Sequence, residues 1–473
     1  MTARSVRIAL LTLSAVVASV DASRAKAPPL FPEPAVLRAQ VEFWERIFGV
    51  YSKHQIVLHD PEHLARVYSV LDFRDRAAAG ESALALELAE RDAVARERER
   101  IRGVLLRLDA RQGNTGGLDD EERKLWDLFG KDKDAKRFAL AADPGRIRSQ
   151  RGLRERFAEG VRVSRRYLAE MEEIFRREGL PTELTRLPLV ESCFDIEAYS
   201  KVGAAGIWQF MPSTGRRYLA ISGVVDERRD PLRATHGAAL HLKENYEVLG
   251  TWPLAITAYN HGRAGMARAA RETGTDDIGA IVRRYRGPLF GFASRNFYAE
   301  FLAALHVERR YRDYFGDLQF EGPFVGDEVQ LSEALAGHVA ARCANVPPAA
   351  LAALNPAVDG AVFLGSGNLP RGYVLRVPQG TAGAFRERLA QVAADVPVVA
   401  TKSGRGRRAD GRSGAVRAAA AGAVAARTHT VTRGQTLSHI AERYRVPVGK
   451  LRDANRLRGN SVKAGQVLKI PAG

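Results

Sequence analysis

Cysteine is nearly absent from this chain of 473 residues, which contains only Cys193 and Cys343. Two thiols cannot hold a small scaffold together, so the fold does not depend on a disulfide framework. Because neither cysteine lies near the amino terminus, we expect no lipid-modified amino-terminal cysteine. The two could pair in an oxidising compartment, but we predict two separate buried thiols.

Long apolar runs are also missing. The run at residues 8–20 is shorter than the roughly 20 residues that a membrane-spanning helix needs, and no later segment is long and apolar enough. Arg4 and Arg7 precede this run and small residues follow around Ala22, which is typical of a secretory signal. We predict a signal peptide over residues 1–22 and an exported protein of the periplasm or cell envelope. An uncleaved amphipathic helix is the alternative.

The histidines do not have the spacing of a metal site. His236, His241 and His261 are separated by intervals that fit none of the usual ligand motifs. We therefore predict no metal and no cofactor.

Charge of one sign is in excess. The chain has 72 Lys and Arg against 55 Asp and Glu, a formal net charge of +17. Such an excess suits an anionic partner, such as nucleic acid, a membrane surface or a wall polymer. An exported protein does not meet cytoplasmic nucleic acid, and much of the charge lies in a linker and on helix faces. We expect no nucleic-acid partner, and peripheral association with the envelope stays open.

The apolar pattern predicts a mainly α fold. Residues 32–150 are mostly helical in pattern, with an apolar face at Phe43, Trp44, Ile47 and Phe48 and no chemical motif. Residues 151–318 predict several helices with short links and no run of strands. Their predicted helices are 153–178, a short one from Pro188 to Glu191, one from Asp230-Pro231 to Leu249, and one opened by Trp252-Pro253.

Two segments near the carboxyl terminus repeat one pattern. Residues 330–378 and 428–471 each contain a helix-like stretch, an asparagine (Asn355 and Asn455) and a closing apolar strand before a proline. We place domains at 328–380 and 428–471 and predict a small α+β module, strand–helix–helix–strand, for the second. Between them, residues 401–427 are almost entirely Gly, Ala, Ser and Arg and predict a flexible basic linker.

Glu191 is the main candidate for catalysis. Its neighbours Leu187, Leu189, Val190 and Phe194 are apolar, so folding should remove water from the carboxylate and raise its pKa. A raised carboxyl pKa suits a general acid near neutral pH. The ordinary alternative is a glutamate that caps a helix or forms a salt bridge.

Three short motifs surround this residue in order. They are Glu191-Ser192, then Gly206-Ile-Trp208-Gln209 with Ser200 before it, then Ala258-Tyr259-Asn260. With these spacings the chain resembles the lysozyme-like transglycosylases, especially the membrane-bound type D lytic transglycosylases of bacterial cell walls. A fourth family motif, Glu-Thr-Arg-x-Tyr, departs here: residues 293–298 are Ala-Ser-Arg-Asn-Phe-Tyr. The acidic residue is missing and Tyr298 is displaced by one position.

The resemblance implies a lysozyme-like catalytic domain over residues 151–318 and a reaction with one carboxyl group. Glu191 would protonate the glycosidic oxygen between N-acetylmuramic acid (MurNAc) and N-acetylglucosamine (GlcNAc), then accept the C6 hydroxyl proton as a 1,6-anhydro ring closes. Ser200 and Gln209 would bind the sugar, Tyr259 and Asn260 would orient substrate and carboxylate, and Tyr298 could reach the site. No cofactor is implied.

Other residues of this region leave several interpretations open. Gly203 and Gly206 would let the backbone approach the glycan, and Trp208 belongs either to the site or to the core. If Asp195 or Glu197 faced Glu191, a muramidase that delivers water becomes possible. An inactive wall-binding scaffold is the third alternative.

The carboxyl-terminal copy resembles the LysM module. It contains TVTRGQTL at 430–437, Asn455 and GQVL at 465–468, with Gln435 where aspartate is usual. The resemblance implies binding to glycans that contain N-acetylglucosamine, so peptidoglycan strands are the expected partner. The earlier copy lacks the Gly-x-Thr-Leu start, and both a structural role and glycan binding stay open for it.

Overall fold

The computed structural model forms two compact units, Met1–Pro397 and Val398–Gly473. It describes residues 29–130, 132–395, 428–431, 437, 440–441, 444, 446, 448–455, 457, 462 and 465–471. The predicted signal peptide and the predicted linker lie outside the described residues, as does part of the LysM-like motif at 432–436.

The first unit begins with α1 (Arg38–Gly49), whose apolar face is buried as predicted at Phe43, Trp44, Ile47 and Phe48. A three-stranded antiparallel sheet follows, in the order β2-β1-β3. Its strands are β1 (Gln55–His59), β2 (Val67–Asp72) and β3 (Arg148–Arg151). The mostly helical prediction missed this sheet, because runs of four to six residues are too short for periodicity to separate strand from helix.

Helices connect β2 to β3. They are α2 (Arg74–Ala78), α3 (Ala83–Ala110), α4 (Asp120–Phe129) and α5 (Arg137–Ala141). Asp119 and Glu122 form a capping box that fixes the start of α4. These elements share a small core with the sheet, in which Leu58 and Tyr68 contact apolar residues of α3 to α5. The region therefore packs as a satellite of the main core.

The predicted helix 153–178 is two helices, α6 (Arg154–Ser164) and α7 (Leu168–Arg177). The chain turns between them, with hydrogen bonds between residues three positions apart, from Arg166 N to Val163 O and from Tyr167 N to Ser164 O. Apolar residues on both sides of the turn are buried, so their helical spacing continued through the break and concealed it.

The other helices of this region agree with the sequence patterns. Asp230 caps the helix that it precedes, by accepting hydrogen bonds from Leu232 N and Arg233 N, and Gly250 ends that helix with a φ of 73°. In chain order the helices are α8 (Leu187–Glu191), α9 (Pro212–Gly215), α10 (Pro231–Leu249), α11 (Trp252–His261), α12 (Arg263–Thr273), α13 (Ile278–Arg284), α14 (Phe292–Arg309) and α15 (Tyr311–Phe315).

Helix α14 lies at the centre of the main core. It packs against α1, α8 and α11, and nearly all of its middle residues are buried. One continuous core therefore joins the amino-terminal helix α1 to the helices that carry the sequence motifs.

A smaller core follows in the same unit. Its elements are β4 (Asp327–Gln330), β5 (Leu335–Ala336), α16 (Gly337–Ala344), α17 (Pro348–Leu354), β6 (Asn368–Leu369), β7 (Val374–Val377) and α18 (Ala382–Asp395). Strand β4 pairs antiparallel with β7, and β5 with β6. Val225 of the preceding region is buried in this core.

The second unit has one pair of strands among its described residues. Strand β8 (Thr428–Thr430) pairs antiparallel with β9 (Val467–Lys469), and α19 (Val448–Ala454) lies between them in the chain. The fold class is confirmed as mainly α with a small α+β module at the carboxyl end. Among the described helices, none has the length and apolarity to cross a membrane.

Candidate active site

Glu191 is the last residue of α8, where Pro188 occupies the first turn. Leu187 and Leu189 of the same helix are buried, while Glu191 keeps part of its surface exposed. Burial raises the pKa of the Glu191 carboxyl to about 8. Burial alone is the cause of this shift. A carboxyl group in this state can donate a proton at neutral pH.

The backbone after Glu191 is strained and firmly held. Cys193 and Phe194 have φ values of 53° and 56°, in the left-handed region that non-glycine residues rarely adopt. Ser192 donates a hydrogen bond from Oγ to the Ile207 carbonyl at 2.9 Å, which ties α8 to the next motif. A Cβ at Gly160 would lie 2.5 Å from the Cys193 carbonyl oxygen, so α6 can support this turn only with glycine there.

The two thiols are separate and buried, as predicted. Burial raises the pKa of the Cys193 thiol to about 11 and also raises that of Cys343. Both side chains therefore serve as small core residues.

The second motif forms a loop closed by its own polar side chains. Ser200 Oγ accepts a hydrogen bond from Ala204 N at 2.9 Å. Gln209 Nε2 donates to the Gly206 carbonyl at 2.9 Å, and Gln209 has a φ of 47°. Ser200 and Gln209 are both partly exposed. They shape the loop and keep surface that a ligand can reach.

Gly206 is required by packing within the protein. Its φ is 72°, and a Cβ there would lie 1.8 Å from the Arg228 carbonyl oxygen. The sequence suggested that Gly206 admits the glycan; the structure gives the backbone of Arg228 as the closer reason. Arg228 is itself buried and donates from Nη1 to the carbonyls of Gly203 at 2.7 Å and Phe210 at 3.0 Å. It therefore fixes this loop to the following segment, a role that no motif indicated.

Tyr259 links the third motif to the second. Its hydroxyl donates to the Trp208 carbonyl at 2.9 Å. Burial, and then the charge of Glu191, raise the pKa of Tyr259 well above its usual value, so the two side chains lie within electrostatic reach. Trp208 itself is fully buried, where it donates to Thr235 and stacks on Phe175. The open question about Trp208 is thereby answered: it belongs to the core.

Asn260 is exposed and contacts α14. Its Oδ1 accepts a hydrogen bond from Ser294 Oγ at 2.9 Å. Ser294 lies in the altered fourth motif, and the sequence comparison of that motif did not single it out. Helix α14 therefore contributes to the site through Ser294.

Tyr298 lies elsewhere. It is 2% exposed, and its hydroxyl donates to the Pro32 carbonyl at 2.7 Å, in the segment before α1. With the tyrosine displaced by one position on the helix, its side chain points into the core. We therefore leave Tyr298 out of the site, in correction of the expectation that it could reach the substrate.

Glu300 is the carboxyl group that the sequence interpretation missed. Burial and the charge of Glu191 raise the pKa of Glu300 to about 8, against the effect of Arg148. The candidates proposed from sequence are engaged differently: Asp195 pairs with Arg156 at 3.6 Å and accepts a hydrogen bond from Glu197 N. The sequence signal that could have identified Glu300 is its position among apolar residues in the middle of the long helix α14.

No group of three or more His, Cys, Asp or Glu side chains suited to a metal ion occurs among the residues that the structure describes. The chemistry that these residues offer is proton transfer by Glu191, beside a loop of hydrogen-bonding side chains.

Comparisons with known proteins match the same region. Residues 171–282 match the transglycosylase SLT domain family, and residues 429–471 match the LysM domain family. Two proteins named membrane-bound lytic murein transglycosylase D, from two strains of Escherichia coli, are 31% identical to the chain over 319 residues. The matched part is 63% of this chain and 62% of each relative.

A shorter match concerns a protein named putative tributyltin chloride resistance protein, from an Alteromonas species. It is 36% identical over 106 residues, which are 22% of this chain and 51% of that protein. The chain therefore carries a transglycosylase SLT domain and a LysM domain, and over 63% of its length it is similar to membrane-bound lytic murein transglycosylase D.

Proposed function

We propose that this protein is a peptidoglycan lytic transglycosylase. It cleaves the β-1,4 bond from MurNAc to GlcNAc and leaves 1,6-anhydro-MurNAc ends. The observation that carries the proposal is the Glu191 carboxyl group, whose pKa is raised to about 8 by burial within the matched SLT domain. The relatives' name supports the same reaction class.

Glu191 performs both proton transfers. As a neutral acid it protonates the glycosidic oxygen, and the bond from that oxygen to the anomeric carbon of MurNAc breaks. The resulting carboxylate takes the proton of the C6 hydroxyl of the same sugar, whose oxygen closes the anhydro ring. The nucleophile is tethered beside the reacting carbon, so no bound water and no second carboxylate are needed.

The surrounding side chains bind and orient the substrate. Ser200 and Gln209, which are partly exposed, bind the sugar and its acetamido group. Tyr259 lies within electrostatic reach of Glu191 and holds the Trp208 carbonyl, while Asn260 is oriented by Ser294. These residues hold the carboxyl group and the sugar in the relative orientation that the reaction needs.

The carboxyl-terminal LysM domain holds the enzyme on its polymer. A chain bound to the glycan through residues 429–471 keeps the catalytic unit at a high local concentration of substrate. The protein is exported and works in the periplasm or cell envelope, on GlcNAc-MurNAc strands and without nucleic acid.

A muramidase of the same fold is the second candidate. Glu300 favours it, because a second carboxyl group near Glu191 could activate water for attack on the anomeric carbon. An inactive wall-binding scaffold is the remaining alternative.

Release of soluble glycan from purified sacculi tests the proposal. The wild-type chain should release fragments and Glu191→Gln should release none, while both bind sacculi equally and show the same circular dichroism. Equal release by the two proteins would remove Glu191 from the reaction. Binding without release by the folded wild-type chain would establish the scaffold.

A further inference from the structure

Two segments of the chain are built around the same asparagine contact. Asn355 Nδ2 donates to the carbonyls of Leu351 at 2.9 Å and Arg376 at 2.7 Å, and Asn355 Oδ1 accepts from Arg376 N at 2.8 Å.

Asn455 repeats this arrangement in the LysM domain. Its Nδ2 donates to the carbonyls of Leu451 at 2.8 Å and Lys469 at 2.7 Å, and its Oδ1 accepts from Lys469 N at 2.6 Å. In both segments the asparagine joins the end of a helix to the closing strand. Residues 327–378 therefore share their construction with the LysM domain.

The earlier segment is fixed to the catalytic region. Val225 forms a β-bridge with Val358, and Asp226 N donates to the Ala357 carbonyl at 2.7 Å. The buried guanidinium of Arg376 forms an ion pair with the buried carboxylate of Asp230 at 3.4 Å. These contacts are backbone hydrogen bonds and a buried ion pair, so the segment is a fixed part of the catalytic unit. We call residues 327–378 the wall.

A groove lies where this wall meets the loop that leads to Ser200 and Gln209, called here the active-site loop. It is a cavity of about 360 Å³ lined by Glu197 and Tyr199 of the loop, by residues 222–226, and by Ala357 and Asp359 of the wall. Its volume falls in the range of about 300–1,000 Å³ that ligand pockets occupy. We call it the distal groove.

The distal groove is joined to the proposed substrate loop. Residues 197–199 directly precede Ser200, and the Ala198 carbonyl accepts a hydrogen bond from Gly206 N at 2.9 Å. A ligand in the groove and a sugar at Ser200 would thus lie on one stretch of backbone. The groove and the proposed sugar position at Ser200 are therefore neighbours along the chain.

The lining suits a sugar. Tyr199 is 68% exposed and offers an aromatic face to the apolar C–H face of a pyranose ring. Glu197, Asp359 and Arg229 provide acceptors and donors for hydroxyl and acetamido groups. The lining carries three carboxylates, Glu197, Asp226 and Asp359, against the one guanidinium of Arg229, which fits a neutral polar ligand better than an anion.

We propose that the distal groove is a second glycan-binding site, which holds N-acetylated sugars of the strand that is being cleaved, beyond the active-site loop. This inference rests on the proposed function for its substrate. The wall is fixed to the catalytic region by hydrogen bonds and a buried ion pair, so a ligand in the groove is held at a fixed place relative to Ser200. Long strands can reach both places and should therefore bind better than short ones.

Gly223→Arg in the full chain blocks the groove without strain. Gly223 is exposed, and a Cβ there meets nothing within 4 Å. Gly383→Arg is the matched control, because Gly383 is equally open but lies on α18 and outside the groove. Tyr199→Ala removes the aromatic face instead of adding bulk.

Cleavage is measured on uncross-linked glycan strands of about twenty and about three disaccharides. Gly223→Arg and Tyr199→Ala should raise KM for long strands about fivefold or more and leave kcat unchanged. Gly223→Arg should not change the kinetics on short strands, and Gly383→Arg should match the wild-type chain on both. Equal kinetics of Gly223→Arg and Gly383→Arg on long strands would overturn the inference.

Binding of the same strands in a Glu191→Gln background separates the two proposals. Weaker binding of long strands by the groove variant supports the distal groove even if the wild-type chain cleaves nothing. Unchanged binding, with cleavage intact in the wild-type chain, rejects the groove and leaves the proposed function standing.

Discussion

Glu191 and Glu300 lie on two helices that pack against each other, and the charge of Glu191 raises the pKa of Glu300. Two carboxyl groups within electrostatic reach in a desolvated site do not ionise together readily. The site therefore holds protons near neutral pH, which suits a reaction that begins with proton donation. Burial is the main cause of the raised pKa of both carboxyl groups.

The rate of cleavage should depend on the protonated form of Glu191. Since the pKa of Glu191 is raised to about 8, kcat/KM should fall as the pH rises above about 8. An ordinary glutamate would place this fall near pH 4.5. Measurement of kcat/KM on soluble glycan strands from pH 5 to 10 checks the prediction, and a decline that is complete by pH 6 contradicts it.

Titration of Glu300 should respond to its neighbour. In Glu191→Gln the charge that raises the pKa of Glu300 is gone, so this pKa should fall but remain above its ordinary value because burial persists. Carbon-13 NMR of labelled glutamate carboxyl groups follows it. A Glu300 titration that is identical in the variant and the wild-type chain would show that the two groups do not interact.

Stability should depend on pH through the same carboxyl group. The folded-state pKa of Glu300 is raised above its unfolded value of 4.5, so its contribution is fully present below pH 4.5 and is lost as the pH rises towards 8. Glu300→Gln removes this loss. The free energy of unfolding of the variant, compared with that of the wild-type chain, should therefore be higher at pH 8 than at pH 4.5 by on the order of 1–3 kcal/mol.

Thermal unfolding at the two pH values measures this gain. The same measurement on the wild-type chain at both pH values provides the reference. A destabilised Glu300→Gln at both pH values would mean that the carboxyl makes a bond that the amide cannot replace.

Two glycines with a φ of 72° should differ sharply when replaced. Gly206→Ala places its Cβ against the Arg228 carbonyl and should cost more than about 3 kcal/mol. Gly179→Ala meets nothing within 4 Å and should cost only the left-handed strain, about 1 kcal/mol. Chemical denaturation measures both, and similar losses would refute the close approach at Gly206.

Two tyrosines should separate catalysis from stability. Tyr259→Phe loses the hydroxyl that donates to the Trp208 carbonyl and lies within electrostatic reach of Glu191, and kcat/KM should fall about tenfold. Tyr298→Phe loses the bond to Pro32 and should cost about 1 kcal/mol of folding free energy with kcat/KM unchanged. Steady-state kinetics and denaturation of both variants check this, and a catalytic defect in Tyr298→Phe would return that residue to the site.

The sequence predicted those parts of the site that depend on short stretches of chain. The buried carboxyl of Glu191 follows from its apolar neighbours, and the start of α10 follows from Asp230-Pro231. Glu300 was missed because its raised pKa depends on burial in the folded protein and on the charge of Glu191, which is far away in the sequence. The strand Gln55–His59 was missed because its pairing partners, and not its own period, define it.

The orientation of Tyr298 shows the same limit. A shift of one position on a helix rotates a side chain by about 100°, and here it directs the hydroxyl to Pro32. The motif comparison registered the shift but could not say what lies in the new direction.

Mass spectrometry of the ends of the soluble products is the measurement that tests the central claim most directly. Purified sacculi are digested with the wild-type chain and, in parallel, with Glu191→Gln. The account predicts fragments that end in 1,6-anhydro-MurNAc from the wild-type chain and none from the variant. Reducing MurNAc ends would contradict it, because they require attack by water in place of the C6 hydroxyl.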